Sequence, residues 1–375
     1  MVSKALTAIL AMGASIQVAS AALTRRVACP DGIHTATNEA CCSLFAVLDD
    51  IQENLFDGGK CNAEAHEALR LTFNDAIAIS NRADNVGGAD GSIMLFSDVE
   101  TTYHPNIGLD EVVAIQKPFV ERHDISAADF IQFAGAVAVS NCPGAPRLPF
   151  FLGRTDATGP APDGLVPEPF HTSNQILSRF ADAGPVGFTT KEVVWALAAH
   201  TIAAADDVDT SAPGSPLDTT PFTFDTQFFV ETQLRGTTFP SDNRVQGERQ
   251  SAVQGVLRLQ SDHVLARDPR TSCEWQSFVN NQQKLQDRFK DTWLKISLLG
   301  NDQDSMIDCS EVIPEPTTID VQATFPPTLS NRQIEQACAL TPFPTLDTAP
   351  GPATTIPPVQ KNQALRPTTP EQPPA

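Results

Sequence analysis

A mostly α-helical fold with long connecting loops is what this sequence predicts, and three observations carry it. Between residues 36 and 300, apolar side chains recur at helical spacing in one segment after another. Capping residues stand where several of those segments begin. Strand-like alternation is nearly absent, and no internal repeat is visible.

The segments follow in order. Residues 38–55 place Leu44, Leu48, Ile51 and Leu55 on one face, and residues 63–79 do the same with Ala65, Leu69, Phe73 and Ile77. A third helix is expected over 127–140, with Ser126 as its cap, and a fourth over 173–183. The next, 189–205, opens on Thr189 with Glu192 three residues on, a capping box. Further helices are expected over 224–234, 253–266, 272–298 and, after Ser330, 331–339.

The 375 residues carry 25 basic and 45 acidic side chains, a formal charge of -20, and an isoelectric point near 4.6. Nucleic acid and anionic membrane surfaces are thereby excluded as partners, because counterion-driven binding needs a basic face. The hydrophobic fraction of 41% supports a real core, and length alone suggests about two domains. Phenylalanine is common, with 21 residues, against a single tyrosine, Tyr103.

Both ends differ from the middle. Residues 1–21 read as a secretory signal: Lys4, an apolar run too short to span a bilayer, then Ala19-Ser20-Ala21 as a small-residue cleavage site. A short pro-segment ending at Arg25-Arg26 would leave Val27 as the mature start. Fourteen of the 30 prolines fall after residue 312, and 341–375 is expected to be an extended Pro/Thr-rich tail, unable to form a packed core and open to O-glycosylation. No Asn-x-Ser/Thr sequon occurs, and no other segment approaches transmembrane length. The eight cysteines all lie in the mature chain, where an even number in an oxidising compartment implies four disulfides of open connectivity. Structural zinc is not expected, since no CxxC spacing occurs.

Two helices and two loops hold the chemistry. Glu67, Arg70 and Asn74 share a helix face, and Asp75 follows. In the next loop glycines turn the backbone tightly around Asp90 and Ser92; with Asp75 and nearby carbonyls these suit a hard cation such as Ca²⁺, or form an ordinary solvated turn. On the second helix His200 points inward among small apolar residues, as a metal ligand or as a core histidine. Trp195 is rotated about 140° from it and faces away. Beyond it the oxygen-rich loop 218–225 again suits Ca²⁺, with Thr201 in reach.

The runs Leu69-Arg70-Leu71-Thr72-Phe73-Asn74-Asp75-Ala76, residues 87–92, Val193-Val194-Trp195-Ala196-Leu197-Ala198-Ala199-His200-Thr201-Ile202 and residues 258–268 resemble the secreted fungal haem peroxidases of class II that act on lignin. The similarity is continuous from Cys29 to about Ala353 and includes all eight cysteines. It implies one bilobal all-α domain over 27–340 with a b-type haem between the lobes, two Ca²⁺ ions, and disulfides Cys29–Cys42, Cys41–Cys309, Cys61–Cys142 and Cys273–Cys338. By the same resemblance His200 ligates the iron and Asp262 supports it. Arg70 stabilises charge as the peroxide bond breaks, Phe73 lies along the haem, Asp207 lies near a propionate, and Glu100 and Asn106 orient the distal base. One calcium takes Asp75, Gly88, Asp90 and Ser92; the other takes Thr201, Asp218, Thr220, Thr223 and Asp225.

Two positions depart from the family pattern. Asn74 stands where the family has a histidine that moves the peroxide proton; an amide can hydrogen-bond peroxide but cannot relay its proton near neutral pH. Leu217 stands where a phenylalanine is usual. Trp195 matches the surface residue through which bulky aromatics deliver electrons. Of the three carboxylates used by the manganese-oxidising subtype, Glu67 and Asp206 are present and the third position is Ala63, so Mn²⁺ is expected to bind weakly. The resulting expectation is a secreted, monomeric peroxidase that uses H₂O₂ to oxidise lignin-like aromatics in one-electron steps, slowed at Asn74. The alternative is a haem- and calcium-binding protein with little turnover.

Overall fold

The computed structural model describes residues 26–82, 87–241, 244–335 and 338–366. The expected signal and most of the pro-segment, and tail residues 367–375, lie outside them. Among the described residues the architecture is helical, with four antiparallel two-stranded ribbons of two residues per strand.

The first half of the chain packs around one central helix. α1 (Ser43–Asn54) continues from a 3-10 turn at Glu39–Cys42, and α2 (Ala63–Ile77) starts at Asn62, whose side chain accepts from the Ala65 N–H. The short α3 (Ser92–Leu95) and α4 (Ser97–Glu100) follow the glycine loop. α5 (Leu109–His123) has no counterpart among the expected helices: Pro118 interrupts its middle, although Leu109, Val112, Val113, Gln116 and Phe119 hold a buried helical stripe. α6 (Ala127–Ser140) begins at the expected Ser126 and is buried from end to end. It crosses α2 closely, for Thr72 Oγ1 donates to the Ile131 carbonyl at 3.1 Å, and a Cβ on Gly135 would meet the Thr72 hydroxyl oxygen at 2.0 Å.

The second half is shorter in its elements than the periodicity suggests. α7 (Ser173–Asp182) and α8 (Thr190–Ala196) both open on capping boxes, the second being Thr189 with Glu192. The expected helix 189–205 tightens into 3-10 turns over Leu197–Ile202 and then becomes a strand at Ala204–Ala205. α9 (Gln227–Glu231) and α10 (Gln260–Leu265) are fragments of the expected 224–234 and 253–266. The long helix 272–298 divides into α11 (Ser272–Gln276) and α12 (Gln282–Ser297), because Asn280 takes a left-handed conformation, φ 53°, between them. Among the described residues of 331–339, only a single turn, Asn331–Gln333, forms. Phe228 and Phe229 lie 5.4 and 5.3 Å from the Trp275 ring, the centre of this half's aromatic core.

The disulfides are Cys29–Cys42, Cys41–Cys309, Cys61–Cys142 and Cys273–Cys338. The proline-rich stretch does not hang free as its composition suggested. It stays extended, but through residue 366 it lies against the body: the Ile356 N–H donates to the Gln254 carbonyl, the Val359 N–H to Gly214, and the Phe343 and Val359 side chains are buried. Proline denies a helix to this segment without denying it docking contacts. No helix among the described residues is long and apolar enough to cross a membrane.

One buried acid outside the site sets a pH dependence. Glu248 is 1% exposed, and burial together with the charge of Asp209 pushes its carboxyl up from 4.5 to about 7. A carboxyl whose pKa rises on folding stabilises below its unfolded value and loses that contribution as pH climbs through its folded value. Glu248→Gln is therefore expected to raise the melting temperature by about a few degrees at pH 8 and to leave it unchanged near pH 4; thermal melts across that range check it.

Candidate functional site

A cavity of about 470 Å³ opens between the two halves. α2 supplies Arg70, Phe73 and Asn74 to one wall, and the 3-10 turn after α8 supplies His200 to another; Leu217 and Trp293 also line it. The capping box that starts α8 and the tightening after Ala196 together set where His200 emerges. Its Nδ1 lies 3.1 Å from both carboxylate oxygens of Asp262, which is 1% exposed on α10. With Nδ1 spent on that acceptor, Nε2 is the ring nitrogen left for the cavity. The Phe228 ring meets the imidazole edge-on at 5.7 Å and limits its rotation.

The α2 wall is organised through the loop before α5. Asn74 Nδ2 donates to the Pro105 carbonyl at 3.1 Å and to Asn106 Oδ1 at 2.9 Å. Asn106 in turn donates to the backbone carbonyl of Glu100, while the Glu100 side chain accepts from the Ala161 N–H. Both acceptors of the Asn74 amide are oxygens, which fixes its orientation and turns its Oδ1 to the cavity. Arg70 donates to the Pro105 and Ile107 carbonyls, with Nη1 4.0 Å from Asp207. Asp207 comes this close because Gly108 has no side chain: a Cβ there would sit 2.2 Å from the carboxylate.

Two oxygen clusters flank the cavity. Asp75, Asp90 and Ser92 gather behind α2, with Asp75 Oδ1 and Ser92 Oγ buried without hydrogen-bond partners. Burial and the neighbouring Asp90 push the Asp75 carboxyl well up. In the other cluster Thr201 Oγ1 donates to Asp218 Oδ2 at 3.0 Å and reaches the Thr223 carbonyl at 3.4 Å. Thr220 joins Asp218 to Asp225, since its N–H donates to the first at 2.8 Å and its Oγ1 to the second at 3.2 Å. Burial raises both aspartates, Asp225 to about 6, and the neighbouring Asp225 and Glu231 charges push Asp218 up further. Buried like charges with spare oxygens suit a hard cation. Among the described residues no three His, Cys, Asp or Glu side chains converge as metal ligands, so carbonyl and hydroxyl oxygens would complete either set.

The family model "Peroxidase" matches residues 47–281, and that of the fungal peroxidase extension region matches 284–361. The chain is 60% identical to ligninase H2 of Phanerodontia chrysosporium, over 95% of this chain and 97% of that protein. To manganese peroxidase 3 of Phlebia radiata it is 59% identical, over 92% and 96%. To versatile peroxidase VPS1 of Pleurotus eryngii it is 58% identical, over 94% and 97%. The chain is a fungal class II peroxidase.

A haem fits what this peroxidase offers. The cavity walls are largely apolar, one ring nitrogen of His200 faces it, and the other is held by a buried carboxylate as metal-bound histidines are. Trp195 of the peroxidase is half-buried on α8, so its ring is not freely exposed as the helix rotation suggested. Its Nε1 donates to Glu274 Oε1 at 2.8 Å, and the Arg288 guanidinium lies 4.8 Å over its ring. Neither neighbour was legible in the sequence, because they come from α11 and α12.

Glu67 and Asp206 do meet at the cavity's edge, with more company than expected. Lys361 Nζ stands 2.9 Å from Glu67, 3.3 Å from Asp206 and 3.1 Å from Glu111 on α5. The sequence missed Glu111 with its helix and Lys361 with the tail; a lone lysine among prolines carried no signal.

Proposed function

We propose that this peroxidase is secreted, works as a monomer with one haem and two Ca²⁺ ions over a domain spanning 27–340, and uses H₂O₂ to oxidise lignin-like aromatics by single-electron steps. The observation that carries this reading is the pair His200–Asp262 on one wall of a cavity whose other wall bears Arg70 and Asn74. The four disulfides support an oxidising compartment.

Haem, when bound, supplies the iron at which peroxide is reduced. The side chains do the rest. Asp262 accepts from His200 Nδ1 and so makes Nε2 a stronger electron donor. Arg70 holds a fixed positive charge beside the place where the leaving oxygen becomes negative. Phe73 closes the apolar wall, and the Glu100–Asn106 chain holds the residue at position 74. Asn74 Oδ1 can accept the peroxide proton as a hydrogen bond but cannot keep it, so peroxide activation is slow. The cation sets are Asp75, Gly88, Asp90 and Ser92, then Thr201, Asp218, Thr220, Thr223 and Asp225. Electrons from bulky aromatics enter at Trp195, and Glu67 with Asp206 holds Mn²⁺ only weakly.

The second reading, a haem- and calcium-binding protein with little turnover, is favoured by the amide at position 74. Stopped-flow mixing of the haem-loaded protein with H₂O₂ separates the two. A slow change of the Soret band is expected; no change over minutes supports the binder.

A further inference from the structure

The tail contributes a charge to the cavity's edge. Lys361 Nζ has three hydrogens, and three carboxylate oxygens stand around it: Glu67 Oε1 at 2.9 Å, Glu111 Oε2 at 3.1 Å and Asp206 Oδ2 at 3.3 Å. They come from α2, from α5 and from the strand end after Ala205, so only the fold and the docked tail bring them to one point. The lysine does not wander into place. On one side the Val359 backbone is tied to Gly214, and on the other the Asn362 N–H donates to Glu64. Arg366, its side chain 7% exposed, reaches Glu64 at 3.1 Å, Glu67 at 2.9 Å and Glu111 at 3.4 Å. Four carboxylates thus face two cations of the same chain.

We infer that Lys361 is a specificity-determining residue, a tethered ammonium that occupies the three-carboxylate site and competes with divalent cations for it. The inference rests on reading Glu67 and Asp206 as candidate Mn²⁺ ligands, and it adds Glu111 as the third carboxylate. A metal must displace an ion that is held by its own chain at high effective concentration. It must also draw the oxygens inward, since hard divalent cations sit roughly 2.0–2.6 Å from carboxylate oxygens. With the lysine gone, Glu67, Glu111 and Asp206 remain with Arg366 alone to balance them; they do not converge as ligands while the lysine stands between them, and their hard oxygens suit Mn²⁺ once drawn together.

The test titrates Mn²⁺ into the intact, haem-loaded protein and follows loss of the free-ion signal by electron paramagnetic resonance, which does not depend on turnover. Lys361→Met keeps the aliphatic stem and removes the charge; it is expected to tighten Mn²⁺ binding about tenfold or more. Lys361→Arg should bind like the parent chain, and Lys361→Met with Glu111→Gln should lose most of the gain. Unaltered melting temperature and Soret band in each variant establish that the fold is kept. If the parent and Lys361→Met both bind Mn²⁺ tightly, the inference is overturned and the metal reading of Glu67 and Asp206 stands. If neither binds it, both fall. A gain that survives Glu67→Gln in the Lys361→Met background places the ion elsewhere and overturns the inference too.

Discussion

Replacing Asn74 by His is expected to speed oxidation of the haem by peroxide by roughly 10²–10⁴, the usual contribution of a general acid–base. The surroundings are already those a histidine needs. Asn74 Nδ2 donates to Asn106 Oδ1 at 2.9 Å, and an imidazole Nδ1–H can take over that bond. Its Nε2 would then face the cavity as a free base. Asn106 is itself held by the Glu100 carbonyl, so the new ring would inherit an oriented acceptor. A second signature follows from the chemistry: the variant should acquire an inflection in its rate–pH profile near the histidine pKa of about 6.5, shifted by its neighbours, where the parent has none. Stopped-flow absorbance against peroxide concentration measures both. An unchanged rate with intact haem binding would show that position 74 does not limit the reaction.

Trp195→Ser is expected to abolish oxidation of bulky, high-potential aromatics and to leave small phenols unaffected. On the proposed route, small phenols would react at the cavity, whereas bulky substrates would need an outside contact. The ring's Nε1–H is held by the Glu274 carboxylate, which favours the ring when it carries positive charge, and the Arg288 guanidinium above its face opposes that charge. If electrons leave through this ring, the pair would set how oxidising the indole becomes. Steady-state rates on one bulky and one small donor, measured on the same preparations, decide the matter. Equal losses on both would mean that the ring serves the fold and not the electron path.

How much of this was legible depended on where each signal lived. His200 and Trp195 were visible because a single helix-like run places them at fixed rotation, and local geometry is what periodicity encodes. The same run misled at its end, where the chain tightens to 3-10 turns and then straightens, since spacing alone does not tell a seven-residue helix with a tight extension from a longer one. Asp262 and Asn106 entered through resemblance, being far from their partners in sequence. Glu274, Arg288, Glu111 and Lys361 were silent: each is an ordinary charged residue whose meaning arises from a neighbour scores of positions away. α5 was overlooked for a physical reason, because a proline in mid-segment normally ends a helix; here the buried stripe on both sides of Pro118 outweighs the lost hydrogen bond.

The bridge from Cys41 to Cys309 spans 268 residues and has a consequence for how the molecule is made. On a ribosome adding about 5–20 residues per second, the thiol of Cys41 waits roughly 13–54 s for its partner to be synthesised. Cys42, its neighbour, closes with Cys29 across only 13 positions, and Cys41 can reach Cys29 as easily. The first bond to form in the nascent chain is therefore ambiguous by one residue, and an error at that step persists until thiol exchange reopens it. Yield of the correctly folded molecule in a host cell should then depend on disulfide isomerase capacity more than on the supply of oxidant.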